Sequence, residues 1–398
     1  MAASIGIGRI FGIPIKLHIT FLLIFPLFVF LFSDPSAQTT ILGIPLTFKG
    51  LQASTLDKYI MGAITSVVFF LGILAHEVAH SYVALRYGVK IKSITLMIFG
   101  GVSAMEEVPR QPRQEWNMAF AGPLTSFVLG AVSWLAMAGL QALNSSSVTV
   151  DALVILLGIM AFYNVLLAGF NLMPAFPMDG GRLLRSFYAR RMPYIEATMR
   201  AARIGRYFAI ALGIFGLFYN LFFILIALFI YIGATEEEQA TTVTESLQGM
   251  TVRNLMSSPV QVVHPDMTVQ QLHDLMLSTR HMGFPVVDNG LVGIVTLTDT
   301  QKYPSEQLPF LHVRDIMTRQ VVTVAPDMEA VKALNIITQR KISRLVVMEG
   351  NLIAGIVTQR DFLRAINVAV VKRVSPQTAF FQPQPDGQQP RGPPNQPF

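Results

Sequence analysis

Over roughly its first 235 residues the chain sets long apolar runs between short polar ones, and beyond that point it changes character. A membrane-spanning helix needs about 20 apolar residues. The runs at 15–32, 59–85, 116–140 and 150–172 meet that requirement and predict four spans. A fifth run, 204–232, is long for one span and short for two, and Gly216, Tyr219 and Asn220 in its middle read as a tight turn that makes it two. The expected architecture is a polytopic α-helical membrane domain of about six transmembrane helices. Between the second and third runs, Val89 to Glu106 starts by alternating polar and apolar residues and contains the pair Gly100 and Gly101, which predicts a β-hairpin at the membrane face. Such a ribbon can offer its edge to an extended peptide, and an interfacial loop without a ligand fits the pattern equally well.

Past Glu238 the sequence repeats itself. NLMSSPVQVVHPDMTV from Asn254 matches DIMTRQVVTVAPDMEA from Asp315, with Pro265 and Asp266 falling on Pro326 and Asp327. GIVTLTD at Gly293–Asp299 then matches GIVTQRD at Gly355–Asp361, the offset moving only from 61 to 62. Two copies of a unit of about 60 residues follow, each alternating short Val/Ile-rich runs with helical stretches, so an α/β module is expected. The domains are drawn as 1–238 for the membrane part and 250–304 and 313–370 for the copies. The tail at 374–398 is rich in Pro and Gln and poor in large apolar residues, and is expected to be disordered.

Composition strengthens the membrane reading. Apolar residues make up 52% and charged residues 14% of the chain, against roughly 25% charged in soluble domains, and mean hydropathy is +0.50. A net charge of +6 would suit nucleic acid, but the Arg residues gather at the ends of apolar runs, where they report orientation instead, so no nucleic-acid partner is expected. Arg86, Lys90, Lys92, Arg110 and Arg113 fill one loop and seven Arg lie in 182–206, whereas 141–150 has neither Lys nor Arg. Positive loops face the cytoplasm, which puts the N-terminus and the repeated module there in a multi-pass protein of the cell membrane. The first run is short enough to raise a signal peptide, with Ser36 and Ala37 beyond it, but the further runs favour a retained span. With no cysteine, a metal must be held by His, Asp or Glu.

His76 and His80 of LGILAHEVAH are four residues apart, so a helix puts both on one face, where two imidazoles can bind one Zn2+. Glu77 stands beside them as a general base for a water whose pKa the metal lowers toward about 7. Ionisable groups in an apolar helix are costly and call for a function. A proton relay in a transporter or channel regulated by the C-terminal module is the other reading. In NLMPAFPMDGGRLLR, from Asn171 to Arg185, Pro174 and Pro177 break the fourth helix, and Asp179 follows as the segment's carboxylate. Asp179 suits a third metal ligand, and it equally suits the cap of a helix starting near Gly180.

An HExxH on an early transmembrane helix joined to a later NxxPxxPxDGGR resembles the site-2 protease family of intramembrane metalloproteases. The nearer likeness is to its bacterial and archaeal branch with a C-terminal pair of CBS domains, and the opening GRIFGIPIKLHITFLL adds to it; the resemblance runs from about Arg9 to Ala365. It implies one Zn2+ per chain held by His76, His80 and Asp179, Glu77 as general base, and a substrate cleaved in or near its own transmembrane segment. It also implies a substrate-positioning role for Asn171 and for the hairpin with Gly100 and Gly101. Met173, where many relatives have Leu, is a volume-conserving departure. The repeats resemble CBS domains, whose pairs commonly bind ATP, ADP or AMP and often associate as homodimers. Thr296, Asp299, Thr358 and Asp361 are the candidate nucleotide contacts, and the same Thr-x-x-Asp spacing also makes an ordinary helix cap. Of the remaining polar residues, His18 is read as interfacial and Glu106 and Glu107 as solvent-facing. Asn164 stands between a role beside the site and a helix–helix hydrogen bond.

Overall fold

The computed structural model describes residues 4–34, 40–41, 43–97, 100–105, 110–143 and 147–374, the side chains of 305 and 371–374 excepted. Glu106, Glu107 and the 375–398 part of the tail lie outside the described residues. The chain divides into two compact units, Met1–Thr241 and Thr242–Phe398.

The first unit opens with a hairpin of β1 (Ser4–Ile10) and β2 (Ile13–His18), joined through Phe11 and Gly12, both at positive φ. Residues 15–18, expected at the head of the first span, are therefore strand. The segment Ile13 to His18 is apolar enough to merge with the run after it, yet its alternation buries Ile13 and Ile15 on one face. Helix α1 (Phe21–Ser33) starts only afterwards and has 13 residues. A short hairpin of β3 (Thr40–Ile41) and β4 (Ile44–Pro45) follows.

Helix α2 (Thr55–Arg86) begins at a capping box, in which Ser54 Oγ accepts from the Asp57 N–H and the Asp57 carboxylate accepts from the Ser54 N–H. The hairpin β5 (Ile91–Met97) and β6 (Gly100–Met105) comes next, as its alternation predicts, and then α3 (Pro112–Ala142), α4 (Val148–Asn171), α5 (Asp179–Ala189), α6 (Tyr194–Tyr219) and α7 (Leu221–Leu247). Among the described residues α2, α3, α4 and α6 are long and apolar enough to cross a membrane. The other two of the six expected spans differ for identifiable reasons. Helix α1 lost its first turns to β2, and the apolar part of α7 ends at Glu236, Glu237 and Glu238. The break inside the fifth run does occur, at Asn220, whose extended backbone separates α6 from α7 and whose Oδ1 accepts from the Phe222 N–H at 2.9 Å.

Helix α2 packs against α1, α3 and α4. Its buried positions Gly62, Ser66, Phe69, His76, His80 and Ala84 follow helical spacing along one stripe. Phe28, Phe32, Phe69, Phe70 and Tyr163 form a ring cluster between α1, α2 and α4, with centroids 4.7 to 6.1 Å apart. In lipid the hydrophobic effect does not drive this contact, since acyl chains are as apolar as Phe. Close packing and edge-to-face geometry, about 0.5–1.5 kcal/mol per aromatic pair, do so instead. Four of the unit's strands form one sheet in the order β1-β2-β5-β6, with β2 and β5 parallel and β6 an outer strand among the described residues. The β5–β6 end of the sheet rests on α2.

The second unit carries the repeat. Its first copy holds α8 (Val269–Thr279), β7 (Gly283–Val287), β8 (Leu291–Thr296) and α9 (Leu297–Thr300). The second holds α10 (Val313–Ile316), β9 (Thr323–Val324), α11 (Ala330–Arg340), β10 (Arg344–Glu349), β11 (Leu352–Thr358) and α12 (Gln359–Val374). Helix α8 buries Val269, Leu272 and Met276, and α11 buries Ala330, Ala333 and Ile337 at the same spacing. Each of the two ends on a left-handed residue, Arg280 or Lys341. The copies also exchange bridges: Ser257 pairs with Ile356 of β11, and Thr318 pairs with Ile294 of β8. The two copies are therefore one module.

Candidate metal centre

His76 and His80 lie on the buried stripe of α2, 3% and 7% exposed, and their Nε2 atoms stand 3.1 Å apart. Helix α3 orients both rings. His80 Nδ1 donates to the Met118 carbonyl at 2.7 Å, and His76 Nδ1 lies 2.9 Å from Ser126 Oγ. Holding Nδ1 in this way leaves Nε2 as the nitrogen that meets a metal. Gly122 of α3 makes the approach possible, because a Cβ there would fall 2.7 Å from His76 Nε2.

The third group arrives across the broken end of α4. After Asn171 the segment 172–178 carries Pro174 and Pro177, and α5 restarts at Asp179. The residue preceding the first turn of α5 is Met178, and no side chain caps that end. The Asp179 carboxylate turns instead to the imidazoles, Oδ2 lying 3.4 Å from His76 Nε2 and 3.0 Å from His80 Nε2. Among the described residues this trio is the group of His, Asp and Glu side chains able to share one metal ion. Its edges of 3.0 to 3.4 Å match those of a tetrahedron around zinc, about 3.3 Å for bonds of about 2.0–2.1 Å. Two imidazoles and one carboxylate also leave one tetrahedral position open, as catalytic zinc requires.

Glu77 faces the hairpin. Its Oε2 accepts from Ser103 Oγ of β6 at 3.0 Å, and Ser81 Oγ lies 3.1 Å from Ser103 Oγ. Gly101 sits directly over the Glu77 stem, so that any side chain at 101 would collide with it. Gly100, with φ 119°, starts β6 one residue further out. Asn171 is not brought to the trio by hydrogen bonding; its Nδ2 donates to the Leu167 carbonyl of its own helix at 3.0 Å. Asn164 likewise donates to Met160 O at 2.9 Å and lies against Gly72, one turn before His76.

In the second unit the four Thr and Asp positions form two equivalent boxes. Asp299 accepts from Thr296 N and Oγ1 at 3.0 and 2.7 Å, and Asp361 from Thr358 N and Oγ1 at 2.8 and 2.7 Å. Thr358 and Asp361 line a cavity of about 540 Å³ together with Arg280, Arg344, Arg360 and Arg364, whereas Thr296 and Asp299 are not in its wall. Asp299 instead holds Lys302 Nζ at 2.9 Å. Burial would raise its carboxyl, but Lys302 and the Thr296 donors outweigh that and hold it below the ordinary value.

Ser81, Ser103, Ser126 and the Met118 carbonyl were not found from the sequence. Ser126 is four residues from Gly122 and so shares its face of α3, which is the signal that could have pointed to it.

Residues 64–153 and 137–213 match the family model described as peptidase family M50, and residues 252–305 and 313–368 match the CBS domain. Over 94% of its length the chain is 34% identical to zinc metalloprotease MJ0392 of Methanocaldococcus jannaschii, covering 98% of that protein. It is 33% identical over 92% of its length to Rip3 of Mycobacterium tuberculosis, named a candidate zinc metalloprotease, and covers 94% of it. Among solved structures, the site-2 protease from Methanocaldococcus jannaschii aligns at 36% identity over 59% of this chain and 95% of that one, with a TM-score of 0.40.

Proposed function

The chain belongs to peptidase family M50, and we propose that it is an intramembrane zinc metalloprotease that hydrolyses a peptide bond in or near the transmembrane segment of membrane-bound substrates. The observation that carries this is the meeting of His76 Nε2, His80 Nε2 and Asp179 Oδ2 within 3.4 Å of one another, with Glu77 adjacent, the imidazoles standing on a helix long and apolar enough to span a membrane. When bound there, zinc supplies Lewis acidity, lowering the pKa of water to about 7 and polarising a carbonyl. The chain's own residues do the rest. Glu77 takes the proton of the attacking water as the new C–O bond forms, and passes it to the amide nitrogen as the C–N bond breaks. Ser103 donates to Oε2 of Glu77 and leaves Oε1 to carry that proton. The outer strand β6 supplies an edge on which the substrate, unwound to a strand, pairs beside Glu77 with Gly100 and Gly101 admitting its backbone. Asn171, at the mouth of the broken helix, is read as a substrate-positioning residue.

The membrane domain is drawn as 1–238 and the CBS copies as 250–304 and 313–370, a division supported by the unit boundary at Thr241 and the family matches. The CBS pair is read as cytoplasmic, from the positive loops, and as a sensor of ATP, ADP or AMP. Its Asp361 cavity is rich in arginine, which suits phosphate, and Asp361 suits ribose hydroxyls. Association through this pair into a homodimer completes the proposal. The test is Glu77→Gln. It abolishes cleavage of membrane-protein substrates, read as their accumulation in membranes, while zinc remains bound; cleavage at the wild-type rate contradicts the assignment.

A further inference from the structure

We propose that α7 positions the Asp179 carboxylate, acting through Glu237 on Arg185 and through Gly233 on Pro177, which makes Glu237, Arg185 and Gly233 positioning residues for the metal site. The inference rests on the reading of His76, His80 and Asp179 as zinc ligands. Helix α5 has 11 residues and starts at Asp179. A helix so short is marginal alone and takes its position from what it packs against. What holds it is Arg185, six residues on from the carboxylate and 1% exposed. Its Nε and Nη2 donate to Glu115 Oε1 of α3 at 2.8 and 2.6 Å, and its Nη1 donates to Glu237 Oε1 of α7 at 2.6 Å. The guanidinium also lies over the rings of Phe176 and Tyr194, at 5.0 and 4.9 Å.

A buried guanidinium is costly to leave without its partners, so these contacts constrain α5 strongly. They do so against two different frames. Glu115 belongs to α3, the helix whose Met118 and Ser126 orient the imidazoles, so Arg185 ties the third ligand to the support of the first two. Glu237 belongs to α7, and one turn earlier Gly233 faces the loop that delivers Asp179, where a Cβ would fall 2.5 Å from Pro177 Cδ. Positions 233 and 237 share a helix face. One face of α7 thus meets both ends of the Asp179 segment, the proline before it and the arginine after it.

The test compares Glu237→Gln, Gly233→Ala and a control, Glu238→Gln, in the full-length detergent-solubilised protein. The control removes a charge from the same helix, but one paired with Arg206 of α6. Zinc affinity is read by chelator competition, ligand geometry by the absorption bands of the Co2+-substituted protein, and folding by circular dichroism. Glu237→Gln and Gly233→Ala weaken zinc retention on the order of tenfold, the scale of partners that orient metal ligands, and shift the Co2+ bands. Glu238→Gln changes neither. Wild-type affinity and bands in both variants overturn the proposal, as does an equal shift in Glu238→Gln. If Glu237→Gln fails to fold, Gly233→Ala decides alone. His80→Ala reports on the underlying reading: wild-type Co2+ bands there would remove the metal site itself, whatever the α7 variants do.

Discussion

Each side chain at the candidate metal centre is held through a contact with another helix or strand. The imidazoles are turned by Met118 and Ser126, Asp179 sits on the helix that Arg185 ties to Glu115 of α3, and Glu77 is held by Ser103. The last contact gives a sharp expectation, because a general base contributes about 10²–10⁴ to rate and part of that depends on its alignment. Ser103→Ala lowers kcat on the order of tenfold with KM and zinc content near wild type; an unchanged kcat would remove Ser103 from the account. His76, Glu77 and His80 could be picked out from helical spacing, whereas Asp179, exposed by a double-proline break, suited a helix cap as well as a ligand until the family resemblance favoured the ligand. The serines could not. Ser103 reaches Glu77 only because β6 lies across α2, and Arg185 meets Glu115 only because α5 crosses α3, contacts that no spacing along the chain encodes.

At the level of elements, apolar runs predicted helices well where they were uninterrupted and misled where an apolar stretch alternated. Ile15 to His18 reads as the start of a span by hydropathy and belongs to β2 because a period of two buries Ile13 and Ile15 on one face. The turn at Asn220 was visible from its residue types, whereas the count of spans was not, since α7 leaves its apolar stretch at three glutamates after little more than half its length. Within the second unit, the Thr296–Asp299 box makes a pH-dependent contribution. Its carboxyl is held below the ordinary value by Lys302 and Thr296 against the opposing effect of burial. A carboxyl depressed in the folded state stabilises above its unfolded pKa, about 3.9, and that stabilisation is lost as pH falls through the folded value. Asp299→Asn therefore lowers the thermal midpoint of this unit at neutral pH, and the difference narrows below about pH 4. A difference constant across that range would contradict the assignment.

For the whole molecule, the internal repeat was legible from its near-constant offset, but which of its two Asp positions faces a cavity was not. The boxes are equivalent in hydrogen bonding and differ in surroundings: Asp361 opens on an arginine-lined cavity, whereas Asp299 is engaged by Lys302. Calorimetric titration of the full-length protein with ATP is expected to give one site per chain that Asp361→Ala removes and Asp299→Asn leaves; no heat at millimolar ATP would end the sensor reading. The membrane unit's claim is more direct. The proposed site takes one Zn2+ per chain between His76, His80 and Asp179, residues of α2 and α5 that meet only when the helices are assembled. Elemental analysis of the purified protein tests it, with one zinc per chain expected in the wild type and in Glu77→Gln, and little or none in His80→Ala and Asp179→Ala. Zinc retained at full stoichiometry in both of those alanine variants would contradict the site.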